Sequence, residues 1–185
     1  GMLGLMKNLD FWAAEASMNL IGKVAGGIGQ ASQGSSKSEV KEYQKLYVSV
    51  GKCMGILLEN GVYALFVYLL AKKTDYSEII YKELYAALKT LQQNLKNEHN
   101  MEDDEACQHN AGARKPVGQQ ELLFDAEDCL NWLQKEVMEL PRLLLVREYL
   151  QQILVYTRYS AAAKKKEAES NRKKTAVPAG GGELD

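Results

Sequence analysis

Residues 59–73 read Glu59-Asn60-Gly61-Val62-Tyr63-Ala64-Leu65-Phe66-Val67-Tyr68-Leu69-Leu70-Ala71-Lys72-Lys73, and the fold class turns on that run. Its apolar part, 62–71, is about half the length a membrane-spanning helix needs. Glu59, Asn60, Lys72 and Lys73 fence it. No sustained period-two alternation occurs here or elsewhere, so no strand competes. The run reads as a short helix, apolar on nearly every side and placed at the centre of a core. Asn60-Gly61 separates it from whatever precedes it.

Upstream, Val40, Tyr43, Tyr47, Val50, Met54 and Leu57 fall on one face of a helix over about 36–58. Ser36 and Glu39 have the spacing of a capping box at its start. Before it, Leu9, Trp12, Ala13, Ala16, Leu20 and Val24 mark a helix over 8–25. Gly26-Gly27-Ile28-Gly29 is expected to end that helix and open a flexible joint. A phosphate-cradling glycine loop would need a strand before the glycines and a helix directly after, and neither is present.

Downstream, Asp75 and Glu78 have capping spacing. They open a helix to about residue 96 with Ile79, Ile80, Leu84, Leu88, Leu91 and Leu95 inside. Residues 97–118 are acidic and then punctuated by Gly and Pro, which reads as a long, polar loop. A further helix is expected over 119–138, with Leu122, Leu123, Ala126, Leu130, Leu133 and Val137 inside. Another starts at Pro141 and runs to about 168. Residues 176–185 read as a disordered tail behind a basic extension. The expectation is thus all-α: one compact bundle of about six helices within residues 1–175.

The chain has 185 residues and a formal net charge of −1, so no global field drives it onto nucleic acid or membrane. Its three cysteines, Cys53, Cys107 and Cys129, form no CxxC pair and fit a reducing, cytoplasmic setting. Gly1 ahead of Met2 reads as a cloning scar, and no signal peptide is expected. Cys107, His109, His99 and Cys129 lack the tight ligand pairs of a zinc site, so no metal and no cofactor are expected. With both histidines in the acidic loop, nothing resembles an activated nucleophile beside a base. No enzymatic activity is expected.

Positive charge is patterned more informatively. On a wheel of about 100° per residue, Lys41, Lys45 and Lys52 fall within roughly 40° of one another, opposite the apolar stripe. Arg147, Gln151, Arg158 and Lys165 form a second stripe on the last helix, away from Val146, Leu150, Ile153, Leu154 and Thr157. Such stripes suit a phosphate backbone read without base contacts. They equally suit an acidic protein surface or an ordinary solvated face.

Asn60-Gly61 with Ala64-Leu65-Phe66 and Leu69-Leu70-Ala71-Lys72-Lys73 resembles the small subunit of the type III-B CRISPR effector (Cmr) complex. So do Tyr81-Lys82-Glu83-Leu84-Tyr85 with Leu88, and Arg147-Glu148, Leu150, Ile153 and Arg158-Tyr159. The likeness covers about half the chain. It departs where that family tends to carry tryptophan: Val155 stands there, and the aromatic is Tyr156. The resemblance implies a compact helical, non-catalytic subunit that stacks along the backbone subunits and on copies of itself. It also implies contact with guide and target RNA without sequence preference, in antiviral defence. The RNA-binding candidates are Lys41, Lys45, Lys52, Arg147, Arg158 and Lys165. Other Cmr subunits are the implied protein partners, and no membrane is involved. The alternative is a helical adaptor that binds another protein and never meets nucleic acid.

Overall fold

The computed structural model describes residues 2–31, 36–102, 126–137 and 139–175. Among them the chain is all-helical: α1 (Met2–Ala31), α2 (Ser36–Lys72), α3 (Asp75–Glu102), α4 (Ala126–Glu136) and α5 (Leu140–Thr175). The expected break at Asn60-Gly61 lies inside α2, where non-helical torsion angles at Gly61 divide the element into two helical arms. Gly61 has φ 86° and ψ −175°, a conformation open essentially to glycine alone. The chain doubles back there. Tyr68, Leu69 and Lys72 of the second arm of α2 come alongside residues 41–53 of the first. By composition residues 38–72 are long and apolar enough to cross a membrane, but Gly61 divides them into two arms.

Other boundaries also move. α1 continues as helix through Gly26-Gly27-Ile28-Gly29 to Ala31, so the expected joint is not at those glycines. Each glycine costs a helix about 1 kcal/mol relative to alanine but forbids nothing. α3 runs six residues into the expected acidic loop, to Glu102, because polar composition alone does not separate a solvated helical end from a loop. Residues 103–118, 119–125 and 176–185 lie outside the described residues, and with them the rest of the acidic loop, the start of the fifth expected helix and the tail. α5 extends past the expected end at 168 to Thr175. Its final turns hold Lys164–Glu167 and Lys165–Glu169 pairs, and Arg172, Lys173 and Lys174 face the negative end of the helix dipole.

The chain leaves α2 through Lys73, whose left-handed φ of 45° is the usual helix-ending conformation. It enters α3 through a capping box. The Ser77 N–H donates to Thr74 Oγ1 at 3.2 Å, and the Thr74 N–H donates to Ser77 Oγ at 2.8 Å. The cap therefore sits one residue before the expected Asp75/Glu78 pair. Glu78 instead accepts from Lys82 at 2.6 Å, one turn along α3.

The most extensive packing joins α2 to α5, with α1 and α3 covering the flanks. Leu46, Val50, Leu57, Leu150, Ile153 and Leu154 are fully buried along that seam. Burying a side chain of that size stabilises by about 1.5–3 kcal/mol. The second arm of α2 is not central: Val62, Leu65, Phe66 and Leu69 face inward, while Val67 and Ala71 are exposed. An aromatic run ties this arm to α3 and α4. Phe66 meets Tyr81 edge-on at 6.0 Å, Tyr81 stacks on Tyr85 at 6.2 Å, and Tyr85 meets Trp132 edge-on at 5.7 Å. Cys53 and Cys129 are buried thiols, and burial pushes Cys129 up to about 11.

Candidate functional site

The reversal at Gly61 creates a groove of about 500 Å³ between the two arms of α2 and the start of α3. Its rim carries Lys41, Lys45, Lys52 and Lys72, all exposed. Three of these are the lysines that helical spacing sets on one face of α2. Lys72 reaches the rim from the other arm. Val48, Cys53, Leu69 and Ile80 form an apolar floor, with Tyr68 and Tyr76 on the walls. Burial pushes the Cys53 thiol up to about 12, so it is a neutral, unreactive part of that floor.

Not all of this charge is equally available. Lys45 donates to Glu42 at 2.8 Å, and Tyr76 donates its hydroxyl to the other oxygen of the same carboxylate. Those two hydrogen bonds, Lys45 first, hold the Glu42 carboxyl below its ordinary value against the opposing effect of burial. Burial and the Glu42 hydrogen bond push the Tyr76 phenol above its ordinary value. Lys41, Lys52 and Lys72 make no ion pair among the described residues, and Asp75 is the one carboxylate on the rim.

The second stripe does not join this groove. Arg147 Nη2 donates to the Leu58 carbonyl at 2.9 Å, in the last turn before Gly61. Arg158 Nη2 donates to the Tyr47 hydroxyl at 3.1 Å, and its guanidinium lies 4.7 Å from the Tyr47 ring centroid. It also lies flat over Gly51, where an added Cβ would sit 3.8 Å from Arg158 Cζ. Both arginines thus reach across the α2–α5 seam, where sequence spacing set them on a face turned away from the core. A long guanidinium side chain spans from the edge of an apolar stripe and stacks on an aromatic ring, which spacing alone does not reveal. Lys165 is half-buried and pairs with Glu169 at 3.6 Å. On the wheel of α2, Tyr47 and Gly51 lie roughly 100–140° from the lysine face. The structure therefore brings together Lys41, Lys45 and Lys52 and separates them from Arg147, Arg158 and Lys165.

Sequence reasoning missed Lys72, Tyr68 and Tyr76 as neighbours of the lysine face. Reading Gly61 as a reversal rather than a simple break would have placed the second arm beside the first. Cys107 and His109 lie outside the described residues. Among the described residues no three His, Cys, Asp or Glu side chains cluster as metal ligands would.

Large apolar side chains are exposed elsewhere. Phe11 and Met18, 67% and 72% exposed, are seven residues apart and share one face of α1. Leu140 and Leu144 stand out at the start of α5, and Tyr159 near its middle. Exposed apolar groups that share a face are suited to protein contact. No protein-family model, curated protein or solved structure matches this chain.

Proposed function

We propose that this chain is a non-catalytic structural subunit of a type III-B CRISPR (Cmr) effector complex, working in the cytoplasm in antiviral defence. In this reading it stacks along the backbone subunits and on copies of itself. It touches guide and target RNA through phosphates without reading sequence, and cleavage belongs to other subunits. The observation that carries the RNA contact is the meeting of Lys41, Lys45, Lys52 and Lys72 around one groove on a chain of formal charge −1. Three of those lysines make no ion pair among the described residues, so neutralising a phosphate there breaks no internal pair. The motif resemblance in α2, α3 and α5 supports the choice of complex.

Affinity purification of the full chain from its native host at low salt tests this reading. It should recover the other Cmr subunits and guide RNA. RNA retention should fall steeply with salt, because phosphate binding releases counterions. Clean recovery of the chain without subunits or RNA would overturn it. The second reading, a helical adaptor without a nucleic-acid role, is favoured by Phe11 and Met18 on the open face of α1. Reversing Lys41 and Lys52 to Glu separates the two. RNA loss with protein partners retained supports the first reading, and a partner lost without any change in RNA supports the second.

A further inference from the structure

A phosphate strip needs only surface charge, yet the lysines surround a cavity with a greasy floor. Val48, 43% exposed, and the half-buried Tyr68 contribute apolar surface that a phosphodiester backbone alone cannot use, above the buried Leu69 and Ile80. The volume, about 500 Å³, lies within the ordinary span of small-ligand sites, about 300–1,000 Å³. Tyr68 offers a partly exposed ring on one wall, and Gln44 and Ser49 offer neutral hydrogen-bonding groups beside it. The first turn of α3, capped by Thr74 and Ser77, adds the positive end of a helix dipole to the lysine rim. An occupant that satisfies all of this has a flat, weakly polar ring and an attached phosphate.

We infer that the groove between the two arms of α2 is a nucleotide site, taking one unstacked base against the Tyr68 wall over the Val48/Leu69 floor and its phosphate on Lys41, Lys52 and Lys72. Lys45 is held by Glu42 and shapes the rim rather than meeting the phosphate. Asp75, the rim carboxylate, disfavours a second phosphate nearby and can accept a hydrogen bond from an exocyclic amine. A duplex keeps its bases stacked inside and cannot fill the floor, so the site selects a single-stranded or free nucleotide. Where the nucleotide belongs to a strand, the inference rests on the RNA-contact reading above. Where it is free, it does not.

Titration of the full chain with inorganic phosphate, with nucleoside monophosphates, and with single-stranded and duplex RNA of equal length tests the site. Each probe is also applied to Val48→Trp, which fills the groove without changing charge, and to Lys52→Ala. Base stacking predicts that monophosphates or single strands bind about tenfold more tightly than phosphate or duplex, respectively. Val48→Trp should abolish that preference while leaving duplex binding unchanged, and circular dichroism should show the variant folded. Lys52→Ala should weaken every probe and lower the salt slope for single-stranded RNA by about 0.7. Binding by the strand alone assigns the site to an unpaired nucleotide of a polymer, and binding by the monophosphate as well assigns it also to the free ligand. Equal affinity for phosphate and monophosphate together with equal affinity for single strand and duplex overturns the inference, as does an unaltered preference in folded Val48→Trp. Single-strand binding that survives Val48→Trp at full strength sinks the nucleotide site but not the RNA reading. Monophosphate binding without RNA binding does the reverse.

Discussion

The two flanks of α2 carry similar charge but use it differently. On the flank facing α5, Arg147 and Arg158 fold down onto the helix and bind a main-chain carbonyl and a tyrosine. On the flank facing α3, Lys41, Lys52 and Lys72 stand at the rim of an open groove. The chemistry of the side chains accounts for the division. A guanidinium is planar and weakly hydrated, so it stacks on Tyr47 and still makes directed hydrogen bonds. An ammonium is compact and strongly hydrated, so it stays in water above an apolar floor. Positive charge in one sequence can therefore serve as interhelical packing in one place and stand exposed around a groove in another.

Substitutions can break or sharpen that contrast. The largest effect is expected from Leu154→Ala, which opens a cavity in the α2–α5 seam where Leu154 is fully buried. It should cost about 2–5 kcal/mol in urea denaturation. Gly61→Ala puts a Cβ on a backbone at φ 86° and ψ −175° and should cost about 1–3 kcal/mol. Because Gly61 sets the two arms side by side, the same variant should also weaken the anion binding proposed for the groove. Arg158→Ala should lower stability by about 0.5–2 kcal/mol through the lost ring contact, with little change in the salt dependence of the proposed RNA contact.

Acid should act on the α3 flank. Glu42 is held below its ordinary value of 4.5, so its contribution is complete above that value and is lost as pH falls through the lowered one. Thermal unfolding followed from about pH 6 to about pH 3 should show that loss. Glu42→Gln should flatten this part of the profile, and an unchanged profile would refute the role given to the Lys45–Glu42–Tyr76 contact. The smallest effect on stability belongs to Lys52→Ala, within about 0.5 kcal/mol, since its side chain is exposed and pairs with nothing described. If Lys52→Ala destabilised the chain as much as Arg158→Ala, the two flanks would not differ in the way described.

Helical spacing alone located Leu9, Ala13, Leu20 and Val24 in α1, and Ile80, Leu84, Leu88 and Leu91 in α3, all of them buried. It also located three of the four rim lysines. Spacing succeeds there because a residue's face on a helix depends only on its place in the repeat. It failed for Arg147 and Arg158. A wheel records where Cα sits, and these side chains are long enough to cross to the neighbouring helix. It failed at Gly26-Gly27-Ile28-Gly29 because glycine weakens a helix without ending it. For the acidic segment it placed a boundary at residue 97 where helix continues to Glu102.

The one-dimensional pattern determined by itself that the described residues are helical, much of the buried face of α1 and α3, and that a glycine breaks the chain just ahead of its most apolar run. Those properties follow from short-range geometry and from the tendency of apolar side chains to leave water. Only the tertiary structure decided that the interruption is a reversal. That reversal carries Lys72 and Tyr68 across to Lys41 and Lys52, and α5 draws the arginines away. Residues 16 to 31 positions apart became neighbours through the torsion angles of Gly61 and the packing of its two arms, and no local repeat in the sequence encodes either.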